Sequence, residues 1–320
     1  MKKLVTILTI LIGSYAVHAQ VQEQLGPTEK KHATLVTEPL TVYKGFFRAG
    51  LATNYSVVDK IFQEDGKKES LSGNIWGSSW TFYAYLQYGI TDRLMIDLFL
   101  PYMTGSIKQS LLFVDQTTGD QAIFKWDSPA NGLSDLDVSV AYQIVTETAS
   151  RPALGLFVVG TLPTGEKDPS NEDPLTGSYD RPTGSGAFHV NTTLKLRKVV
   201  YPFSYTISAS YKLKMEGEKK LEPSTPNVTF KDGNVLNLAG IFNLHLNDWI
   251  VFKNIADYYS FAEGEVEGLK SGGSSWLMNY TAGLSFQLKK LRLDQAVSFP
   301  LMGKLSAADP SYILIVQYTF

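Results

Sequence analysis

The sequence has no cysteine among its 320 residues and only four histidines. The missing cysteines exclude a disulfide framework, a zinc ribbon, a thiol nucleophile and an iron–sulfur site. The charges are nearly balanced, with 29 Lys and Arg against 31 Asp and Glu, so we expect no nucleic-acid partner bound through phosphate neutralisation. Hydrophobic residues make up 44% of the chain, which is too many for intrinsic disorder.

Long apolar runs are also scarce, and the longest lies at the start of the chain. After Met1-Lys2-Lys3 the sequence is apolar for 14 residues, from Leu4 to Val17, which is too short to span a bilayer. It ends in Val17-His18-Ala19, the small-x-small pattern that signal peptidase cleaves. We therefore predict a signal peptide over residues 1–19, and no transmembrane helix after it.

Alternation of apolar and polar residues with a period of two fills the rest of the chain. Near the C-terminus, Tyr312, Leu314, Val316, Tyr318 and Phe320 fall on one face, as in a β-strand with one apolar side. Most of the segments are close to the 9–11 residues with which a tilted strand crosses a membrane. The pattern predicts twelve strands, at 43–56, 78–89, 93–104, 133–146, 153–163, 186–198, 202–214, 234–247, 249–262, 276–289, 291–301 and 311–320.

The connections between these strands alternate between short and long. Asn247-Asp248 and Ile90-Thr91-Asp92 are short, whereas Thr164 to Ser185 is long and polar. Short periplasmic turns, long outer loops and an even strand number are typical of bacterial outer-membrane barrels. We predict an all-β, antiparallel, up-and-down transmembrane barrel. A soluble β-sandwich is the alternative, although its strands are usually shorter.

Aromatic residues near the predicted strand ends favour the membrane interpretation, because barrels carry aromatic girdles at both interfaces. The chain ends on Phe320, on the same face as Tyr318. We interpret Tyr318 and Phe320 as a signal for the barrel assembly machinery. The girdle candidates are Trp76, Trp80, Tyr88, Tyr102, Tyr201, Phe203, Trp249, Trp276, Tyr318 and Phe320.

Five motifs, taken in order, resemble the outer-membrane channel family associated with the meta-cleavage pathway of phenol degradation. They are Tyr88 to Leu94, Leu100-Pro101-Tyr102, Gly132 to Asp137, Leu162 to Gly165, and Thr176 to Asp180. The resemblance covers roughly Tyr88 to Leu213. It implies a barrel of about twelve strands that passes small molecules, including hydrophobic or aromatic ones.

Charged residues at inward positions of the predicted strands are candidates for a selective lumen. They either line an aqueous path that sets selectivity or pair with one another and plug the barrel. Asp97, Asp135 and Asp137 lie on neighbouring strands and suit a basic neighbour such as Arg48, and we predict no metal site. The lumen candidates are Arg48, Asp97, Asp135, Asp137, His189, Lys195, Lys212, His245, Lys253, Asp257, Arg292 and Asp294.

Chemistry of other kinds has little support in the sequence. A hydrolytic barrel enzyme needs a histidine beside a serine on the outer wall, whereas His189 and His245 are both predicted to point inward. The acidic loop from Glu166 to Asp180 does not have the spacing of a calcium-binding loop. We predict that the protein is not an enzyme and has no cofactor.

We therefore predict a signal peptide over 1–19, a periplasmic arm or small plug over 20–42, and an outer-membrane barrel over 43–320. The expected function is a channel for passive uptake of small solutes, including hydrophobic or aromatic ones. The alternative is a non-transporting structural or surface-binding barrel with an occluded lumen. The expected partners are a small-molecule solute, outer-membrane lipid and lipopolysaccharide, and the assembly machinery.

Overall fold

The architecture is all-β. The computed structural model describes residues 40–71, 75–114, 121–173, 177–288 and 290–320, so the predicted signal peptide and residues 20–39 lie outside the described part. Within those ranges no helix is long and apolar enough to cross a membrane.

The described residues form twenty strands, and twelve of these strands form the barrel wall. The wall strands are β1 (Phe47–Val58), β4 (Trp76–Thr91), β5 (Leu94–Val114), β7 (Leu136–Val145), β8 (Ala153–Leu162), β9 (His189–Val200), β10 (Phe203–Lys214), β13 (Val235–His245), β14 (Ile250–Phe261), β17 (Ser275–Leu288), β18 (Leu291–Lys304) and β20 (Ser311–Thr319). The others, outside the wall, are β2 (Lys60–Phe62), β3 (Lys68–Ser70), β6 (Gln121–Leu133), β11 (Glu216–Lys220), β12 (Asn227–Lys231), β15 (Gly264–Val266), β16 (Leu269–Ser271) and β19 (Ser306–Ala307).

Each wall strand pairs antiparallel with the next, and β1 pairs with β20, so the sheet closes. The predicted twelve-strand barrel is thus confirmed. Because the sheet closes, every wall strand has a neighbour on both sides for its backbone N–H and C=O groups. Lipid offers these groups no hydrogen-bond partner. The short connections all lie at the end of the barrel where Phe47 and Thr319 meet, which we take as the periplasmic end.

Residue alternation along the strands produces an apolar outer surface and a polar interior. In β10 exposed Phe203, Tyr205 and Ile207 alternate with buried Ser204 and Thr206. The same exposed apolar positions recur on β5, β7 and β13, for example at Leu98, Val140 and Leu238. A membrane-facing band of this kind is stable only in lipid, since water would oppose so large an apolar surface.

The third predicted strand is longer than the sequence pattern indicated, whereas the fourth, β7, is shorter and begins at Leu136. β5 has 21 residues and extends above the wall, where it pairs with β6 from Tyr102 to Val114. Below that point β5 pairs with β7, from Leu94 to Phe99. The wall therefore changes partner strand at Ser134–Asp135, and the N–H of Ser134 donates to the carbonyl of Pro101 at 2.9 Å.

The first strand begins at Phe47 instead of residue 43. Thr41 and Val42 lie buried inside the periplasmic end of the barrel, and Gly45, with φ of 79°, turns the chain into the wall. The left-handed conformation is accessible to glycine at no steric cost. The carbonyls of Val42 and Tyr43 come so close to Gly89 that a Cβ there would lie 2.5 and 2.1 Å from them.

Outside the wall, the long loops form two small sheets. One joins β11, β12, β15 and β16, and the other joins β19, β2 and β3. The first covers part of the outer mouth with the hairpin β11–β12, which we call the outer hairpin. The second is held by Asp309, whose carboxylate accepts the N–H groups of Asp59 and Lys60 at 2.7 and 2.6 Å.

Candidate lumen site

Most of the residues that the sequence analysis proposed for the lumen are buried in the structure. Nine of them are at most 5% exposed: Arg48, Asp97, Asp135, His189, Lys195, Lys253, Asp257, Arg292 and Asp294. A charged side chain that is so enclosed needs polar partners, because removing it from water is costly.

Two cations share one carboxylate on the inner faces of β14 and β18. Lys253 Nζ lies 2.9 Å from Asp294 Oδ2, and Arg292 Nη2 lies 2.9 Å from the same oxygen. Arg292 Nε also donates to Asp294 Oδ1 at 3.0 Å and to Ser285 Oγ at 3.2 Å. We call Lys253, Arg292 and Asp294 the lumen triad, and it contains one more cation than carboxylate.

A second polar group lies on β1, β4, β5, β7 and β9. Arg48 Nη1 donates to Gln87 Oε1 at 3.2 Å, and Ser139 Oγ donates to Asp97 Oδ2 at 2.6 Å. Lys195 places its Nζ 4.1 Å from the ring centroid of Phe157, within the range of a cation–π contact. Arg48 and Lys195 both attract Asp97 electrostatically, so this group also has two cations for one carboxylate.

A third group, at the periplasmic rim, was not predicted from the sequence. Glu147 is fully buried in the turn between β7 and β8, where it accepts the N–H of Val199 at 2.6 Å and pairs with Arg197 Nε at 3.3 Å. Lys198 donates to the carbonyls of Thr148 and Ala149. Burial raises the pKa of Glu147, although the N–H of Val199 and the charge of Arg197 act against that shift.

Apolar side chains also face the lumen, which the alternation of the sequence did not reveal. Tyr85 and Phe99 stack with their ring centroids 5.5 Å apart, and Tyr85 is close enough to Arg48 and Arg292 to feel both charges. We call this set the aromatic wall. It consists of Ala52, Tyr83, Tyr85, Phe99, Ile313 and Ile315, all buried.

The chain segment before β1 occupies the periplasmic end of the lumen. The N–H of Leu40 donates to Gln143 Oε1 at 2.5 Å. Val42 packs with Met95, Ala141 and Phe157 in one buried apolar cluster, with Leu40 against it. The alternating pattern starts only after this segment, so the sequence offered no sign of these contacts.

The carboxylates of the outer half have separate roles. Asp257 accepts from Asn279 Nδ2 at 3.1 Å, and Asp137 accepts from Thr161 Oγ1. Asp135 Oδ1 accepts the N–H of Gly165 at 3.0 Å, and its Oδ2 accepts the N–H of Ser185 at 2.7 Å. Asp97, Asp135 and Asp137 therefore each have different hydrogen-bond partners.

The loop from Thr164 to Ser185 lies along the free edge of β6. Arg181 donates its N–H to the carbonyl of Pro129 at 2.6 Å, and Trp126 Nε1 donates to the carbonyl of Gly177 at 3.1 Å. Asp180 accepts from Asn171 Nδ2 at 2.6 Å. Within the described ranges, no cluster of His, Asp and Glu is arranged to hold a metal ion.

The two strand histidines lie at opposite ends of the lumen. His189 begins β9 at the outer end, opposite Lys214. His245 ends β13, and its Nε2 is 3.2 Å from Ser204 Oγ, which also accepts from Asn243 Nδ2 at 3.2 Å. This serine–histidine contact faces the lumen at the periplasmic end, whereas the arrangement considered from the sequence lies on the outer wall.

Comparison with known proteins supports the fold. No protein-family model matches the chain, and no curated protein matches it. The crystal structure of an outer membrane channel from Pseudomonas putida matches with a TM-score of 0.68 and 14% identity, over 88% of this chain and 97% of that chain. The chain folds as an outer-membrane β-barrel. Together with the apolar outer band, this places the protein in the bacterial outer membrane.

Two other solved structures match over most of their length at lower TM-scores. The translocator domain of the autotransporter NalP from Neisseria meningitidis matches with a TM-score of 0.47 and 13% identity, over 96% of this chain and 98% of that one. The Ralstonia pickettii toluene transporter TbuX matches with a TM-score of 0.43 and 10% identity, over 93% and 96%. At these TM-scores the likeness is to barrels in general.

Proposed function

We propose that the protein is a passive uptake channel for small solutes with apolar or aromatic bodies. The observation that carries the proposal is the mixed surface of the lumen. The aromatic wall lies directly beside the charges of Arg48 and Arg292. A solute with an apolar body meets apolar side chains there and keeps its polar end beside charged groups, so it crosses without leaving a favourable environment.

The last residues of the predicted arm favour a plug inside the barrel. They do not favour an arm that extends freely into the periplasm. Leu40 and Val42 contact the inner wall at Gln143, Met95 and Phe157. We propose that residues 20–42 narrow the periplasmic end of the lumen. Deleting residues 20–39 should then raise the single-channel conductance and leave the barrel folded. Unchanged conductance would contradict the plug.

The second candidate is a barrel that transports nothing. Its support is the enclosure of the lumen side chains, since Arg48 is 0% exposed and Gln87 is 1% exposed. A lumen filled by paired side chains gives a stiff barrel without a path. Such a protein would act as a structural or surface-binding component of the outer membrane.

Planar-bilayer conductance and liposome swelling separate the two candidates. The purified full chain should give discrete current steps in KCl and should pass small aromatic solutes into liposomes. Heat-modified migration on a denaturing gel establishes that the barrel is folded. A folded barrel without current steps or solute flux would overturn the channel and leave the structural alternative.

A further inference from the structure

The balance of positive and negative charge in the lumen differs between the two halves of the barrel. Six inward or rim cations lie in the periplasmic half: Arg48, Lys195, Arg197, Lys198, Lys253 and Arg292. The carboxylates that they contact or attract are Asp97, Glu147 and Asp294. Each of the three groups described above therefore has one cation more than it has carboxylates.

Among the residues that the structure describes, the outer half of the lumen has no such excess. Lys214 Nζ lies 3.5 Å from Asp232 Oδ2, and Lys212 attracts Asp137. Asp257, on the same inner face of β14 as Lys253, adds a further carboxylate, which accepts a hydrogen bond from the neutral amide of Asn279. A solute that passes inward thus moves from an outer region without an excess of cationic side chains into a periplasmic region that has such an excess.

We propose that the channel is selective for anions, and that its solute is a small carboxylate with an apolar, aromatic-sized body. This inference rests on the proposed channel function and specifies its substrate class. Excess fixed cations in a narrow, poorly hydrated lumen lower the energy of an anion and raise that of a cation. The aromatic wall next to Arg48 and Arg292 receives the apolar body while the cations receive the carboxylate.

The lumen triad gives this preference a geometric basis. Asp294 already accepts from both Arg292 and Lys253, so an arriving carboxylate would share these two cations with it. A bound anion would therefore bring the group to balance, whereas a bound cation would increase its excess charge. Removing one cation of the triad should abolish that advantage without exposing an unpaired carboxylate, because Arg292 still binds Asp294 through Nε and Nη2.

The test is ion-current recording on the full chain in planar bilayers. In a KCl gradient the reversal potential should give a chloride permeability above that of potassium. Benzoate, benzyl alcohol and benzylammonium share one ring and differ in charge. Benzoate should block the current at a concentration about tenfold lower than either of the others, the effect of one favourable charge contact.

Three variants separate lumen charge from charge elsewhere. Lys253→Gln should weaken the benzoate block about tenfold and shift the permeability ratio towards potassium. Asp257→Asn, on the same face of the same strand, removes the opposite charge and should shift the ratio towards chloride. Lys270→Gln removes a cation from an outer loop, where Lys270 is 79% exposed, and should change neither quantity. Arg48→Gln replaces Lys253→Gln if that variant does not fold.

The outcomes distinguish this inference from the channel proposal. A conducting barrel that prefers potassium, or one in which Lys253→Gln and Lys270→Gln behave alike, overturns the anion selectivity and leaves the channel in place. Equal block by the three ring compounds overturns the carboxylate substrate. A folded barrel that never conducts overturns the channel itself, and the selectivity with it.

Discussion

Asp135 shows how one carboxylate holds a long loop in place. The sequence placed it among the lumen candidates, and the structure places it between β6 and β7, where β5 changes its partner strand. Its two oxygens accept N–H groups from the two ends of the Thr164–Ser185 loop. Two backbone N–H groups on one carboxylate are a strong arrangement, because charge-assisted hydrogen bonds exceed neutral ones.

We expect Asp135→Asn to destabilise the barrel by about 1–3 kcal/mol, because the amide keeps one acceptor and leaves one N–H without a partner. Urea unfolding in detergent micelles measures the loss. Asp127→Asn is the control, because the Asp127 side chain is 54% exposed and its ion pair with Lys108 is long, with 3.6 Å between Asp127 Oδ2 and Lys108 Nζ. Equal stability of the two variants would show that Asp135 does not hold the loop.

Phe320 is part of the predicted assembly signal, and its contacts show what a substitution there would remove. Its side chain is 60% exposed and packs edge-on against Tyr318, with ring centroids 4.8 Å apart. Its backbone N–H donates to the carbonyl of Phe47 at 2.8 Å, a bond that does not need the ring.

Phe320→Ala should therefore leave the finished fold intact and reduce the amount of barrel that reaches the outer membrane. Tyr312→Ala changes the same outward face at the other end of β20 and should have little effect. Quantifying heat-modifiable protein in outer-membrane fractions compares them. If both variants reach the membrane in equal amounts, the terminal residue is not part of the signal.

Among the elements, the outer hairpin depends on one carboxylate. Burial alone would raise the pKa of Asp232, but Lys214 and Lys219 outweigh burial and hold that pKa below its ordinary value. Because the pKa is lower in the folded hairpin than in the unfolded chain, its stabilisation is present above about pH 4 and is lost as the pH falls through the folded pKa.

Acid should therefore loosen the outer hairpin before the wall unfolds. The absence of cysteine allows a single spin label at Asn227→Cys, an exposed position at the start of β12. The label should be more mobile at about pH 3 than at pH 7, where Asp232 is ionised. In an Asp232→Asn background it should already be mobile at pH 7. If the mobility of the label changes neither with pH nor in the Asp232→Asn background, Asp232 does not hold the outer hairpin in place.

Strand positions were accessible from the sequence because the period of two is local. All twelve predicted wall strands are present, most with ends within three residues of the expected ones. The departures have specific causes. β1 starts late because Thr41 and Val42 pack inside the barrel, and β5 continues above the wall because β6 pairs with it there.

At the scale of the whole molecule, the orientation in the membrane follows from loop length. Single cysteines at Glu172 and Asp248 test it, since the first lies in the longest outer loop between wall strands β8 and β9 and the second in a short turn. A maleimide that cannot cross the outer membrane should label Glu172→Cys on intact cells and spare Asp248→Cys until the cells are lysed. The reverse pattern would mean that the barrel is oriented the other way.

The sequence by itself determined the strand periodicity and the alternation of loop lengths, and it predicted an export signal and a set of inward charges, because each of these depends on neighbours along the chain. Only the tertiary structure decided which charges meet. Lys253 and Asp294 are two strands apart, and Arg48 meets Gln87 across a strand pair. Such contacts depend on the register of every strand and on the closure of the barrel, which are properties of the whole sheet. The enclosed lumen, and the excess of cations in its periplasmic half, follow from that closure.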